Sequence, residues 1–383
     1  MNVTEPLALL GGLSPATFMK RHWHKKPLVI SQALPGFVPP LDRADLIALA
    51  AQPEVESRLI IQGGAKGVGG SKDNAPWKFR HGPFARSALP AFKQPGWTLL
   101  LQGMDLVDER IHALLNQFRF IPDARLDDMM VSYATDGGGV GPHFDSYDVF
   151  LLQAHGQRRW RIGRQKDLSL VPNMPLKILA NFEPEEEFVL NGGDMLYLPP
   201  RYAHDGIAVG ECMTYSVGFR SPNQGELASE LLQRLAEDAA DAAGERLYSD
   251  PKQAAVENSG NIPDALVTFA EQALHHALQD PLALRRALGE YLSEPKAKVS
   301  FDGESNAIWG GAIRLDRRTR LLYDTQHVFI NGESYVASGR DAHLMRALAD
   351  HRYLPAKDLV KLSDGAIDLL KDWQEAGWIH ADD

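Results

Sequence analysis

Three residues in the middle of the chain could hold a metal ion. His143 and Asp145 stand in GGGVGPHFDSYDVFLLQAHGQRRW, residues 137–160, and His204 ends the later segment GGDMLYLPPRYAH. On an extended strand, residues i and i+2 point to one face, so an imidazole nitrogen and a carboxylate oxygen of an H-x-D pair can meet one ion. Two histidines and a carboxylate occupy one face of an octahedral ion. The three open positions suit non-haem Fe(II) and oxygen chemistry. Zinc held by two histidines and a carboxylate is the competing reading, although no HExxH helix is present.

An H-x-D pair alone says little. With 13 His and 50 Asp plus Glu, about 2 H-x-(D/E) matches arise by chance. His380-Ala381-Asp382 is another such match. Context separates His143 from it: a Gly-Pro entry, an apolar strand pattern after it, and a later histidine behind a Gly-Asp strand and a Pro-Pro turn. Arg158 follows in the run RRWR. Strand alternation puts Arg158 and Arg159 on opposite faces, so one of them can face the inside of a barrel. An arginine there is costly to bury without an anion, and a planar carboxylate fits its fork.

These residues need a β scaffold. Residues 97–222 supply short runs rich in β-branched and aromatic residues, such as WTLLLQG, MMVSYA, RRWRIG and CMTYSVGFR, punctuated by Gly and Pro. That pattern predicts an antiparallel sandwich or barrel. Before it, Ser14 caps a helix in SPATFMKRHWH, PLVIS reads as a strand, and residues 41–51 read as a helix. Residues 63–76 form a Gly-rich loop without the Lys-Ser/Thr ending of a phosphate-binding loop. From residue 224 the pattern turns helical, with apolar Leu227, Leu231, Leu232 and Leu235 on one face. This helical region is too thin for a core of its own, so its apolar faces need a partner, and a homodimer is the natural one. The last stretch reads strand, strand, helix, helix, with a hairpin turn at residues 331–333, a combination that fits a winged helix.

Composition bounds the partners. The chain has 383 residues, 44% of them hydrophobic, and a formal net charge of −10. Two or three domains with real cores are expected, and global disorder is excluded. The acidic balance disfavours direct nucleic-acid binding and is compatible with a basic protein or peptide as partner. One cysteine, Cys212, excludes an intrachain disulfide and any Cys-rich zinc site. Apolar runs are far shorter than the ~20 residues of a membrane span, and no signal peptide is visible. A soluble, cytoplasmic protein is expected.

The motifs HFD, Arg158 followed by Trp160, and GDMLYLPPRYAH resemble the JmjC-type branch of the Fe(II)/2-oxoglutarate oxygenases, within the cupin superfamily. The similarity is closer to the bacterial ribosomal oxygenases, carried by GGGVGPHFDSYDVF, RRW and YSVGFRSP. The resemblance implies a double-stranded β-helix, a helical dimerisation region and a C-terminal winged helix. The corresponding segments are an N-terminal mixed extension at 1–95, the catalytic barrel at 96–222, the helical region at 223–297 and the winged-helix-like domain at 298–383. It implies Fe(II) on His143, Asp145 and His204, with 2-oxoglutarate as cosubstrate paired to Arg158 and O2 as oxidant. Its implied substrate is an arginine of large-subunit ribosomal protein L-sixteen, hydroxylated at the β-carbon with release of succinate and CO2. The alternatives are the same chemistry on a histidine of another ribosomal protein, and an idle cupin that only binds. Two positions depart from the wider JmjC pattern, where Lys is common at Arg158 and Thr at Val140. The second 2-oxoglutarate contact then falls to Ser132, with Tyr133 on the opposite face as competitor.

Other residues have bland and sharp readings side by side. Asp136, Tyr147 and Asp148 could offer a cationic substrate carboxylates and an aromatic wall, or simply start a turn and pack. Ser216 is either core or pocket wall. His22 and His24 permit a metal by geometry but lack a third ligand. Arg314, Arg317, Arg318 and Arg320 could touch nucleic acid, against a solvated face interleaved with Asp316.

Overall fold

The computed structural model describes residues 2–62, 77–174, 176–303 and 311–382. The Gly-rich run at 63–76 lies outside them. Two compact units divide after Ser221.

The first unit opens with α1 (Pro15–Arg21), where Ser14 Oγ accepts from Thr17 N at 3.2 Å and Pro15 takes the first turn. Strand β1 (Leu28–Ile30) follows, then α2 (Arg43–Ala50), started by a capping box of Asp42 and Asp45. The remaining elements are β2 (Ser57–Ile61), β3 (Lys78–His81), β4 (Trp97–Leu101), α3 (Glu109–Leu115), β5 (Leu126–Ala134), β6 (Val149–Gly163), β7 (Glu186–Leu190), β8 (Met195–Leu198) and β9 (Ala203–Phe219). One antiparallel sheet runs β1-β8-β6-β9-β5-β4-β2-β3, with β7 on β6. Strands from before residue 95 therefore join the same sheet as those after it.

The long pair β6 and β9 shapes the barrel. Its register slips around Gln153, His155 and Gln157, so both strands bend there. The first half of β6 pairs with β8 and the second half with β7. One strand pair thus serves both layers of a double-stranded β-helix. Both faces of the first part of β6, Val149 to Ala154, are buried. Phe150 and Leu152 pack with Phe18, Trp23, Tyr197 and Phe219, while Val149, Leu151, Trp160 and Ile162 pack on the other face with Leu198 and Tyr202. This explains the unbroken apolar run DVFLLQA.

The second unit has α4 (Gln224–Ala243), α5 (Asp264–Ala277) and α6 (Pro281–Ser293). Strands β10 (Ala312–Leu315), β11 (Leu321–Tyr323), β12 (His327–Ile330) and β13 (Glu333–Val336) follow. Then come α7 (Gly339–His351), β14 (Tyr353–Leu354), α8 (Ala356–Leu359), α9 (Asp364–Glu375) and β15 (Ile379–Asp382). The sheets are β14-β10-β15 and β11-β12-β13. Asn331 and Gly332, at φ of 48° and 93°, make the two-residue turn between β12 and β13. Ile313, Val328, Leu348, Leu370, Trp373 and Ile379 share one core. Gly289 of α6 lets that helix sit against Phe329, since a Cβ there would lie 2.3 Å from the ring. In contrast, α4 and α5 bury no residue, and Leu232, Leu266 and Leu274 are exposed.

Candidate metal centre

His143 and His204 are locked together by their backbones. His143 N donates to His204 O at 3.0 Å and His204 N to His143 O at 2.8 Å. His204 is the second residue of β9, and His143 sits in the loop that joins β5 to β6. Gly141 turns that loop at φ +86°, and a Cβ there would lie 2.9 Å from both Ile178 and Trp77.

Each imidazole is oriented by a carbonyl. His143 Nδ1 lies 2.8 Å from Gly141 O, and His204 Nδ1 lies 3.0 Å from Tyr202 O. A carbonyl only accepts, so each Nδ1 carries the proton and each Nε2 is left with a lone pair. Burial, then the neighbouring His143, hold the His204 pKa below its ordinary value against the pull of Asp145. His204 is therefore neutral at pH 7, the form that ligates. Asp145 Oδ2 is 3.6 Å from His204 Nε2. One donor atom from each of His143, Asp145 and His204 lies within 4.8 Å of the others, the one such group among the described residues. Two imidazoles and a carboxylate are a donor set that fits a divalent first-row metal.

A cavity of about 360 Å³ extends from this group. Arg158 lines it and is 4% exposed. Its Nη2 donates to Cys212 Sγ at 3.6 Å, its Nε has no partner, and no carboxylate pairs with it among the described residues. Arg159, on the other face of β6, is exposed. A buried guanidinium without a counter-ion is costly, and a carboxylate ligand would satisfy it.

Ser132 also lines the cavity, but its Oγ donates to Thr214 O at 3.2 Å. Tyr133 is in the core on the opposite face, its hydroxyl on Glu211 at 2.9 Å. Ser216 and Val140 are in the cavity wall. Tyr147 lines it and is 38% exposed, and burial of the hydroxyl, followed by Asp145, Asp128 and Asp127, raises its pKa. Asp136 lies outside the cavity wall, where its carboxylate accepts from Gly210 N at 2.8 Å. Asp148 is fully buried beyond the cavity wall, held by Tyr197 Oη at 2.6 Å and His24 Nε2 at 2.9 Å. His22 Nδ1 faces Pro27 O at 3.2 Å.

Sequence reasoning missed much of one wall. Arg58, Gln102, Asp127, Asp128, Met130 and Thr214 all line the cavity. Arg58 donates to Gln102 Oε1 at 2.5 Å, and Gln102 Nε2 donates to Asp128 Oδ2 at 2.6 Å. They come mainly from β2, the end of β4 and β5, and no local motif marks them.

The basic run of the second unit is internally engaged. Arg318 Nε donates to Asp316 Oδ1 at 2.7 Å, Arg314 Nε is 3.5 Å from Asp382, and Arg320 Nε donates to Leu292 O at 3.2 Å. No helix among the described residues is long and apolar enough to cross a membrane.

Residues 113–227 match the family described as the JmjC domain, and residues 276–380 match a ROXA-like winged helix. The chain is 33% identical over 359 residues to the ribosomal protein uL16 3-hydroxylase of Escherichia coli (strain K12), covering 89% of this chain and 90% of that protein. The X-ray structure of E. coli YcfD superposes with a TM-score of 0.82 at 29% identity, over 96% of this chain and 98% of that one. The YcfD ribosomal oxygenase in complex with cobalt and 2-oxoglutarate superposes at 0.78 with 30% identity, over 97% and 99%.

Proposed function

The chain belongs to the ribosomal oxygenase family of JmjC-domain proteins, and on that footing we propose that it hydroxylates the β-carbon of an arginine in large-subunit ribosomal protein uL16 (L-sixteen). His143, Asp145 and His204 would hold Fe(II), with 2-oxoglutarate as cosubstrate. Bound there, Fe(II) with 2-oxoglutarate and O2 supplies the oxidising chemistry that puts one oxygen atom into a C–H bond and leaves succinate and CO2.

The observation that carries the reading is Arg158. Its buried guanidinium lines the same cavity as the metal group and lacks a carboxylate. A dicarboxylate that chelates the metal at one end and meets Arg158 at the other fills both needs. Ser132 also lines that cavity, with its hydroxyl proton engaged by Thr214 O.

The chain's own residues then sort by task. The carbonyls of Gly141 and Tyr202 hold both imidazoles as Nε2 ligands. Tyr147, Asp127 and Asp128 give the cavity an acidic and aromatic wall that suits a guanidinium. Asp136, outside that wall, accepts from Gly210 N of β9. The exposed leucines of α4 and α5 support a homodimer formed through the helical region. The cytoplasm, where a ribosomal protein is made, is the compartment this reading implies.

Mass spectrometry tests it. Purified protein is mixed with Fe(II), 2-oxoglutarate, air and ribosomal proteins of the same source, with His143→Ala as control. A single +16 Da addition on uL16, absent with the variant, is expected. Succinate with the addition on a histidine of another ribosomal protein would overturn the substrate, and neither product would leave a binding protein.

A further inference from the structure

We propose that Gly218 is a specificity-determining residue: its missing side chain leaves a trough between Asp128 and Tyr147 that receives the arginine side chain of the protein substrate. This deepens the substrate reading above and rests on it. The floor of the cavity is a lattice of cross-strand neighbours. Ser216 and Gly218 share one face of β9. Beside them on β5 stand Met130, opposite Ser216, and Asp128, opposite Gly218. On β6, Leu151 is opposite Ser216 and Val149 is opposite Gly218. All six residues line the cavity, as Tyr147 does. Gly218 is the one position of this lattice without a side chain, and it is half-buried, so the gap opens into the cavity.

Nothing structural demands a glycine there. Its φ lies outside the left-handed region. Among the described residues a Cβ at 218 would meet nothing closer than Asp128 Oδ1 at 3.7 Å, Asp128 O at 3.9 Å and Tyr147 Cε2 at 4.0 Å, all ordinary contacts. Gly206 and Gly163 on the same pair of strands differ, since a Cβ would press on Trp160 at 2.6 Å and on Glu185 N at 2.8 Å. The register slip beside Gly218 belongs to β5, where Asp127 is the extra residue. A glycine inside a strand weakens it, and one that neither packing nor conformation requires marks the close approach of a ligand. The trough has walls that suit a guanidinium. Asp128 Oδ2 accepts from Gln102 Nε2 at 2.6 Å and from Gly103 N at 3.0 Å, and Oδ1 is the oxygen on the Gly218 side. A planar cation lying over Gly218 therefore meets a carboxylate oxygen on one side and the Tyr147 ring on the other. The trough is also clear of the cosubstrate end. Arg158 reaches Cys212, six residues back along β9, roughly 20 Å at the rise of a strand.

The test compares the full-length Gly218→Ala and Gly218→Val proteins with wild type. Thermal melts, and calorimetry of 2-oxoglutarate on the Zn(II)-loaded proteins, report on the fold and the cosubstrate end. Hydroxylation of full-length uL16 with Fe(II) and 2-oxoglutarate is read by mass spectrometry, and succinate is counted in the same samples. For uL16, kcat/KM should fall about tenfold in Gly218→Ala and about a hundredfold in Gly218→Val, the range that added methyl and methylene groups command in a binding pocket. Affinity for 2-oxoglutarate should stay within about twofold of wild type, and succinate formed per hydroxylated uL16 should rise. Equal kcat/KM in wild type and Gly218→Val would overturn the proposal. So would a loss of 2-oxoglutarate affinity in Gly218→Ala that matches its loss of activity, which would make the glycine a packing residue. If Gly218→Val does not fold, Gly218→Ala decides alone, and unchanged kcat/KM overturns the proposal. Wild-type protein that hydroxylates a histidine, or no ribosomal protein at all, would instead sink the substrate reading before any variant is compared, and this inference with it.

Discussion

Arg158 Nη2 lies 3.6 Å from the sulfur of Cys212, and a thiol is a poor counter-ion for a guanidinium with 4% exposure. The cation is thus stored without charge compensation, beside a sulfur that belongs to the small buried cluster of Ala134, Ala208 and Cys212. Such a site is unfavourable when empty and strongly favourable with a carboxylate in it.

The first consequence concerns Arg158→Met. Removing an uncompensated buried charge should stabilise the ligand-free protein by about 1–3 kcal/mol. The same change should weaken 2-oxoglutarate at least about a hundredfold, since a bidentate charge-assisted pair is lost. Thermal melts with and without 2-oxoglutarate read both. A ligand-free variant less stable than wild type would mean that the guanidinium is compensated after all.

Metal loading should follow mass action. Mn(II) at about 100 times its dissociation constant should stabilise the protein by ~2.7 kcal/mol. Asp145→Ala and His204→Ala should abolish that gain. His204 is neutral when buried, and its depressed pKa means that no proton need leave it for the metal to bind near pH 7. Equal metal-induced stabilisation in wild type and Asp145→Ala, measured by calorimetric scans, would exclude the His143–Asp145–His204 group as the site.

Gly206 offers a test of the wall behind the histidine. A methyl added there meets Trp160 atoms at 2.6 to 3.0 Å. Gly206→Ala should cost about 1–3 kcal/mol by overpacking. It should also displace the indole and raise KM for 2-oxoglutarate with a smaller change in kcat. Unchanged stability would show that the ring moves aside freely.

The sequence marks His143, Asp145 and His204, but it predicts the H-x-D pair on a strand; the pair lies in the loop before β6, where an isolated bridge between His143 and His204 brings it to the second histidine. Strand alternation put only one of Arg158 and Arg159 inward, and the family resemblance selected Arg158. The Ser14 cap and the Asn331-Gly332 turn were legible because their chemistry is local. The wall of Arg58, Gln102, Asp127 and Asp128 was not. It is assembled by register, with Ser57 to Ile61 opposite Trp97 to Leu101, and Leu100 opposite Ser132. Register across distant strands depends on the whole sheet, and no window of sequence contains it. Asp136 and Asp148 flank the motif in sequence, yet both lie outside the cavity wall, because a turn and the opposite strand face claim them.

The helical region makes a solution prediction. Leu232 is 56% exposed and Leu274 67% exposed on amphipathic helices that bury nothing in the single chain. A second copy covering them would hold a dimer. Leu232→Asp with Leu274→Asp should yield monomers by sedimentation velocity at concentrations where wild type is dimeric. A wild-type monomer at high concentration would exclude the dimer.

The last prediction concerns acid. Asp316 of the second unit is nearly buried; burial would raise its pKa, but hydrogen bonds from Arg318 and from His380 outweigh burial and hold it well below the usual 3.8. Arg318 Nε lies at 2.7 Å and His380 Nε2 at 2.9 Å. A folded-state pKa below the unfolded one means that the ionised carboxylate stabilises the fold. That contribution is fully present above the unfolded value and is lost as pH falls from there toward the folded value. The unit should therefore lose stability below about pH 4, with a slope of up to about 1.4 kcal/mol per pH unit from this one group. Asp316→Asn should be less stable near neutrality, because it removes the main carboxylate partner of half-buried Arg318 and leaves it Ser300 O and the more distant Asp302, and its stability should fall less steeply in acid. Urea titrations between pH 6 and 3, read by the near-ultraviolet signal of the buried Trp373, measure both slopes. Parallel slopes for the two proteins would remove Asp316 as the acid-sensitive group.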